Sequence, residues 1–293
     1  IGANAFKNTA LGTIELGRNI ETIGADAFSG CDNLLIRCYK DSVVHQYAEA
    51  NHITFELIDD TDDISTIKIN GKSIQSLFYD SSLVYNNDLA LFAANLSKAA
   101  EDKTGNNIWN YYHSLGWSVA DRTNYQYGGD RAYSIACAKL SKDENLLVIT
   151  ARGSQTPTEL FEDAFSSGYR DFFGYTTNDV IYDFERDIMD GLKQFLASHE
   201  YLMKKDLKIL ITGHSLGGAA ANLNAARFTM FEDAGAWWSN LTEQSDIYCY
   251  TFGAINSLSD NSTVKKGFEN IHNVYNLLDS YGPNRASNYM PSD

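Results

Sequence analysis

The chain has 293 residues, 44% hydrophobic and 21% charged, the balance of an ordinary globular protein long enough for about two domains. Its 38 acidic and 23 basic side chains leave a formal charge of −15, which makes nucleic acid a poor partner and disfavours simple docking on anionic lipid. No apolar run approaches the roughly 18 residues that mark a bilayer span, so no transmembrane segment is expected.

The chain opens on a repeat. Ile1-Gly2-Ala3-Asn4-Ala5-Phe6 recurs as Ile23-Gly24-Ala25-Asp26-Ala27-Phe28, an offset of 23 − 1 = 22 residues. Each copy continues into a polar turn and an apolar run: Leu11, Ile14 and Leu16, then Leu34, Leu35 and Ile36. A period of this size lies in the leucine-rich-repeat range. One such unit cannot bury its apolar edge alone and must stack on a neighbour, so further copies are expected upstream. A chain that begins inside a repeat reads as a piece of a longer protein, and a missing leader then says nothing about location.

With these motifs, and with the run from Cys38-Tyr39-Lys40-Asp41-Ser42 through Tyr47-Ala48 to Ile53-Thr54-Phe55, residues 1–58 resemble the C-terminal end of a BspA-type leucine-rich-repeat array of bacterial surface proteins. The resemblance implies a secreted or cell-surface bacterial protein, with a possible surface ligand for the repeats. Asp59-Asp60-Thr61-Asp62-Asp63 puts four acidic residues in five, which favours a solvated boundary. The expected organisation is repeats over 1–58, an acidic linker over 59–66 and a second domain over 67–293.

In that second domain, Asn87 can cap a helix whose Leu89, Phe92, Ala93 and Leu96 share a face. Residues 131–140 and 145–151 read as strands, the second apolar enough to be buried on both sides. Residues 155–168 hold Leu160, Phe161, Ala164 and Phe165 on one helical face, opposite Glu159, Glu162 and Asp163. That pattern fits either an amphipathic flap or a packed surface helix. The aromatic run Tyr169, Phe172, Phe173, Tyr175 and Tyr182 fits packed loop aromatics or the lining of an acyl pocket. Phe184, Ile188, Leu192 and Phe195 then repeat at helical spacing from Asp183 to about Met203. Strands follow at 207–212, 246–252 and 271–278, with an Ala-rich helix from the turn at 213–218 to about Phe231. Strands alternating with helices predict an α/β fold with a mostly parallel sheet covered on both faces.

Four cysteines, Cys31, Cys38, Cys137 and Cys249, show no zinc spacing. Cys137 and Cys249 lie in apolar strand-like runs and read as buried thiols, and Cys31 and Cys38 are not expected to pair. No metal spacing or phosphate-binding glycine loop is present, so no metal or cofactor is expected.

Gly213-His214-Ser215-Leu216-Gly217 matches G-x-S-x-G between a buried strand and an Ala-rich helix, with Gly218 extending it. A strand that turns sharply into a helix leaves no room for a Cβ beside the serine, so glycines flank it. The serine hydroxyl then projects from the turn. The helix N-terminus offers free N–H groups and a positive dipole end to a developing oxyanion.

Four blocks, ARGS at 151–154, ITGHSLGG at 211–218, YTFGA at 250–254 and NLLDSYGP at 276–283, make residues 80–285 similar to the class 3 lipases. The resemblance implies an α/β-hydrolase fold and cleavage of carboxylic esters of lipids. It places the nucleophile at Ser215, one oxyanion-hole N–H at Leu216, the other donor at Ser154 and the triad acid at Asp279. It also implies a lid after Ser154. The family's His-x-Gly-Phe block is replaced here by Val180-Ile181-Tyr182-Asp183-Phe184, which bears on substrate preference.

The catalytic histidine has no match. In the family it follows the aspartate by some tens of residues, and none of the 14 residues after Asp279 is His. The base is therefore expected beyond residue 293. Among the histidines present, His214 adjoins the serine, His272 precedes Asp279 and His113 lies beside Tyr111 and Tyr112, while His45, His52 and His199 lie in the repeat or on a helix. The competing reading is a hydrolase-like domain without activity in a surface adhesion protein.

Overall fold

The 22-residue period is a physical spacing in the folded chain. In the computed structural model, which describes residues 1–17, 20–40, 42–58, 63–117, 120–121, 124–127, 131–154, 168–199, 202, 206–230, 243–258 and 267–275, the chain divides into two compact units, Ile1–Asp60 and Thr61–Asp293. In the first unit, β1 (Thr13–Glu15), β2 (Leu35–Cys38) and β3 (Thr54–Leu57) form a parallel sheet in that order, with α1 (Val43–Ala50) before β3. Thr13 pairs with Leu35, one repeat on. Outside the strands the copies stay in step. The N–H groups of Asn4, Phe6 and Asn8 donate to the carbonyls of Ala25, Ala27 and Ser29 at 3.1, 2.7 and 2.8 Å. The rings of Phe6 and Phe28 stack 5.1 Å apart.

The turns repeat as well. Asn4 and Asp26 are left-handed at φ 59° and 58°, and Asn8 and Gly30 at 57° and 77°. Asn, Asp and Gly are the residues that enter that region at least cost. A Cβ at Gly24 would lie 2.4 Å from the Ala3 nitrogen, so only glycine lets the two backbones approach. Cys31 donates to the Phe6 carbonyl at 3.1 Å, and all four cysteines are free thiols.

The second unit begins earlier than the composition suggests. Ile64, expected in a linker over 59–66, is 1% exposed and donates to the Lys139 carbonyl at 3.0 Å. An isoleucine flanked by acids is driven into the core, so the solvated boundary ends before it. A short hairpin, β4 (Lys68–Ile69) and β5 (Lys72–Ser73), precedes the single turn α2 (Ile74–Leu77). α3 (Asn87–Ala100) follows; its cap is not Asn87 but Asn86, and the Asn86 side-chain oxygen accepts from the N–H groups of Asp88 and Leu89 at 3.0 and 3.1 Å. Leu89, Phe92, Ala93 and Leu96 are fully buried.

Next come α4 (Asn106–Ser114), β6 (Ala120–Asp121), α5 (Asn124–Tyr127), β7 (Tyr133–Lys139) and β8 (Glu144–Ala151). A hairpin follows, β9 (Tyr169–Phe172) and β10 (Tyr175–Asn178), then α6 (Asp179–Ser198), β11 (Asp206–His214), α7 (Ser215–Met230), β12 (Ile247–Phe252) and β13 (Ile271–Val274).

The central sheet runs β13-β12-β11-β8-β7-β6. It is mixed, with three of its five pairings parallel. The pairings β13–β12, β12–β11 and β11–β8 are parallel, while β8–β7 and β7–β6 are antiparallel. A parallel return needs a dozen or more residues of crossover. Residues 140–143 are all that separate β7 from β8, so the second strand must run back against the first.

Side-chain alternation loads both faces. Ile209 and Ile211 of β11 point into a core shared with Phe184, Ile188, Leu192 and Phe195 of α6 and with α7. Leu210 joins the opposite core with Leu89, Phe92 and Leu96 of α3, and the Thr212 hydroxyl donates to the Ala93 carbonyl at 3.2 Å.

Four of the five residues of the aromatic run lie on the hairpin rather than in a loop, and Tyr182 lies on α6. Phe173 and Gly174 make the hairpin turn at φ 54° and 86°. Phe172 and Tyr175 are buried, whereas Tyr169 and Phe173 reach the surface. The turn packs on the helices: Arg227 of α7 lies over the rings of buried Phe172 and exposed Phe173 at 5.1 and 5.2 Å, and pairs with buried Glu185 of α6.

Candidate active site

β11 ends at His214 and α7 begins at Ser215, with no residue between them. That junction forces Ser215 to φ 52°, a left-handed conformation that costs a non-glycine residue about 1–3 kcal/mol. The surrounding backbone is packed tightly enough to hold it there. A Cβ at Gly213 would sit 2.5 Å from the Gly217 carbonyl carbon and 2.8 Å from the Ala151 oxygen. A Cβ at Gly217 would sit 2.5 Å from the oxygens of both Ala151 and Arg152. Both glycines of the motif are therefore required by the approach of α7 to the end of β8. At Gly218 the nearest obstacle is the Ala254 Cβ, 2.9 Å away, which explains the small residue at the end of YTFGA. From Leu216 to Thr229 every residue of α7 is buried, so the helix is locked on all sides.

Leu216, 2% exposed, stands in the first turn of α7, where N–H groups have no intrahelical acceptor. Ser154 lies three residues beyond the end of β8, whose Ala151 pairs with Gly213. The intervening loop is pressed on the serine turn. A Cβ at Gly153 would lie 3.0 Å from the His214 carbonyl oxygen, 3.2 Å from His214 Nδ1 and 2.9 Å from Glu101 Oε1. The structure thus brings the loop of Ser154 alongside Ser215 and Leu216.

Asp279 lies outside the described residues, as do 155–167 of the expected lid. β13 is parallel to β11 and β12, and its last residue, Val274, pairs with Phe252, which pairs with His214. The chain therefore leaves β13 at the edge of the sheet that carries Ser215. A polar knot fixes that strand. The Thr251 hydroxyl donates to Asn273 Oδ1 at 2.6 Å, and the Asn222 side-chain amide of α7 donates to the same oxygen at 2.7 Å. Asn222 in an Ala-rich helix was the one sequence signal of this knot.

Four of the six histidines have ring contacts within the second unit. His214 Nδ1 lies 3.4 Å from Glu101 Oε1. His272 Nε2 donates to the Ser82 carbonyl at 2.9 Å, and its ring packs 4.8 Å from Tyr250. Burial holds its pKa below the usual histidine value, against the Ser82 hydrogen bond. His113 Nδ1 meets the Trp109 carbonyl and His199 Nδ1 the Phe195 carbonyl, at 3.0 and 2.7 Å. Burial pushes the Cys249 thiol far up, leaving it a packing group rather than a nucleophile. Among the described residues no three His, Cys, Asp or Glu side chains are grouped to hold a metal ion.

Sequence reading missed Glu101. It sits at the end of α3, accepts from the Gly153 N–H at 3.1 Å and is remote from every motif in the chain. The neighbouring Arg152 is 3% exposed, donates to the Lys103 carbonyl at 3.4 Å and lies over the Tyr125 ring.

No curated protein matches the chain. Solved structures that it resembles include a triacylglycerol lipase whose catalytic centre is formed by a serine protease triad, at 17% identity and a TM-score of 0.40 over 60% of this chain and 65% of that one. The Rhizomucor miehei triacylglyceride lipase gives 15% identity and a TM-score of 0.38, with the same coverages. A lipase from Rhizopus microsporus var. chinensis gives 12% and 0.37 over 68% of this chain and 69% of its own. The chain thus spans 65% of the length of the first two. The family model of lipase (class 3) matches residues 148–279, from the middle of β8 through the serine turn and beyond β13.

Proposed function

We propose that the second unit is a serine ester hydrolase acting on carboxylic esters, with lipids as the substrate class. The observation that carries this reading is Ser215 held left-handed at a strand–helix junction whose flanking glycines admit no Cβ. Ser215 is half-buried, and a turn of this kind is the arrangement that presents a serine hydroxyl above a helix N-terminus. The family match over residues 148–279 supports the ester-hydrolase class.

In the proposed reaction, Ser215 Oγ attacks the ester carbonyl carbon and its proton passes to a histidine base. The carbonyl oxygen becomes an oxyanion held by the N–H groups of Leu216 and Ser154. The C–O bond to the alcohol breaks, the alcohol takes the proton from imidazolium, and an acyl-serine remains. Water, deprotonated by the same base, then releases the carboxylic acid. Asp279 is assigned the role of orienting the histidine and stabilising its charged form. The base is assigned to a histidine beyond residue 293, following the class 3 lipase order in which it comes after the aspartate. The repeat unit is assigned to surface display, as its BspA-like pattern implies.

The test is fluorophosphonate labelling read by intact mass, on residues 1–293 and on a chain extended at the C-terminus. Labelling of the extended chain is expected, and its loss in Ser215→Ala. If both chains label, a histidine within 1–293 serves and the downstream assignment is wrong. If neither labels, the hydrolase reading fails and a binding role for the repeat unit takes its place.

A further inference from the structure

Residues 152–154, beyond the end of β8, have no regular secondary structure, yet the Ser154 N–H must be aimed to within a fraction of an ångström to serve an oxyanion. What holds it is the C-terminal end of α3. Glu101 Oε1 accepts from the Gly153 N–H at 3.1 Å, and the same oxygen lies 3.4 Å from Nδ1 of His214, the residue before Ser215. One carboxylate oxygen therefore touches the residue preceding each half of the reacting pair. Arg152, next in the loop, donates to the Lys103 carbonyl, where the C-terminal end of a helix favours a cation. Its guanidinium also lies 5.4 Å from the centroid of the Tyr125 ring, and Tyr125 donates to the Ala100 carbonyl at 3.0 Å. Successive residues of the loop are thus anchored to residues 100–103.

We propose that Glu101 is a positioning residue that couples the Ser154 loop to the Ser215 turn, by accepting the Gly153 N–H while it abuts His214. The proposal rests on the assignment of Ser215 as nucleophile and Ser154 as oxyanion donor. Glu101 touches neither substrate nor reacting atoms. Its effect is on where the Ser154 N–H points, and so on the transition state more than on the bound ester. The acceptor oxygen is what matters, so an amide in its place retains the function. The Gly153 position is part of the device: a methyl there would stand 2.9 Å from Glu101 Oε1 and 3.2 Å from His214 Nδ1, and would push both away.

The experiment uses the form of the protein that labels at Ser215, with p-nitrophenyl butyrate as substrate. Glu101→Ala is expected to lower kcat about 10- to 100-fold with KM unchanged, less than the 10²–10³ lost with an oxyanion donor outright. Glu101→Gln is expected to keep kcat within about threefold of the parent, since its oxygen can still accept the Gly153 N–H. Gly153→Ala keeps the carboxylate but displaces it, and is expected to fall with Glu101→Ala; it serves as the test if Glu101→Ala does not fold. Three results overturn the proposal: both substitutions leaving kcat unchanged, a loss confined to KM, or Glu101→Gln falling as far as Glu101→Ala. Failure of the parent to label at Ser215 is a different outcome, and strikes the hydrolase assignment itself.

Discussion

Gly217 shows how narrowly single residues set this site. Its missing Cβ would meet two backbone oxygens at 2.5 Å, and backbone cannot swing aside as a side chain can. Gly217→Ala is expected to destabilise the second unit by about 1–3 kcal/mol or more, read from the urea midpoint. The buried pair Glu185–Arg227 obeys a different rule. Burial raises the Glu185 pKa even with Arg227 beside it, so the pair is held together largely by mutual need. Arg227→Met strands a carboxylate that is 0% exposed, and a loss of about 3–5 kcal/mol is expected. Changing Glu185 to Leu as well should recover most of it; a double variant no more stable than Arg227→Met would contradict this account. His272 gives the pH dependence. Its folded pKa lies below the ordinary histidine value of about 6.5, so between the two values the unfolded chain binds more protons. Its contribution is complete above about 6.5 and is lost as pH falls toward the folded value. Urea midpoints at pH 8 and pH 5.5 should therefore differ less in His272→Gln than in the parent.

At the scale of elements, the helices were the more legible. Phe184, Ile188, Leu192 and Phe195 repeat at 3.6 residues and all four are buried, so the period alone located α6. The helix starts one turn before the Asp183 that the apolar period indicates, because Asn178 caps it: its side chain accepts from the Val180 N–H at 2.8 Å. The hairpin β9–β10 was not legible. Its two strands bury unequal and discontinuous sets of side chains, and its turn is Phe-Gly rather than a pair with two residues that favour positive φ. The serine turn was readable because its chemistry is local, a strand, two glycines and a helix in direct succession. Glu101 was not, because its partners are brought together only by the packing of α3 on the sheet. The hairpin turn is testable on these grounds. Gly174 sits at φ 86°, and Gly174→Ala should cost about 1–2 kcal/mol by the steric penalty of a left-handed β-carbon. Thermal midpoints of the two proteins measure it, and an unchanged midpoint would show that the turn relaxes freely.

At the scale of the whole molecule, the two units have separate cores. Among the described residues the first has seven buried apolar side chains, Ala27, Phe28, Leu34, Ile36, Cys38, Val44 and Ala48, with further partly buried apolar residues packed on them. A core of that size offsets little of the chain entropy of some sixty residues, whereas the second unit is covered on both faces of a six-stranded sheet. The first unit is therefore expected to unfold at lower denaturant. The tryptophans make this visible, since all four, Trp109, Trp117, Trp237 and Trp238, belong to the second unit. Trp117 is fully buried and stacked on Tyr112, so its emission responds to the loss of that core. Far-ultraviolet circular dichroism reports both units, tryptophan emission only the second. In a urea titration the dichroism should begin to fall before the emission changes, and fluorophosphonate labelling at Ser215 should follow the emission. Coincident transitions by all three probes would mean that the units unfold as one cooperative body, and that the first draws stability from beyond its own seven-residue core.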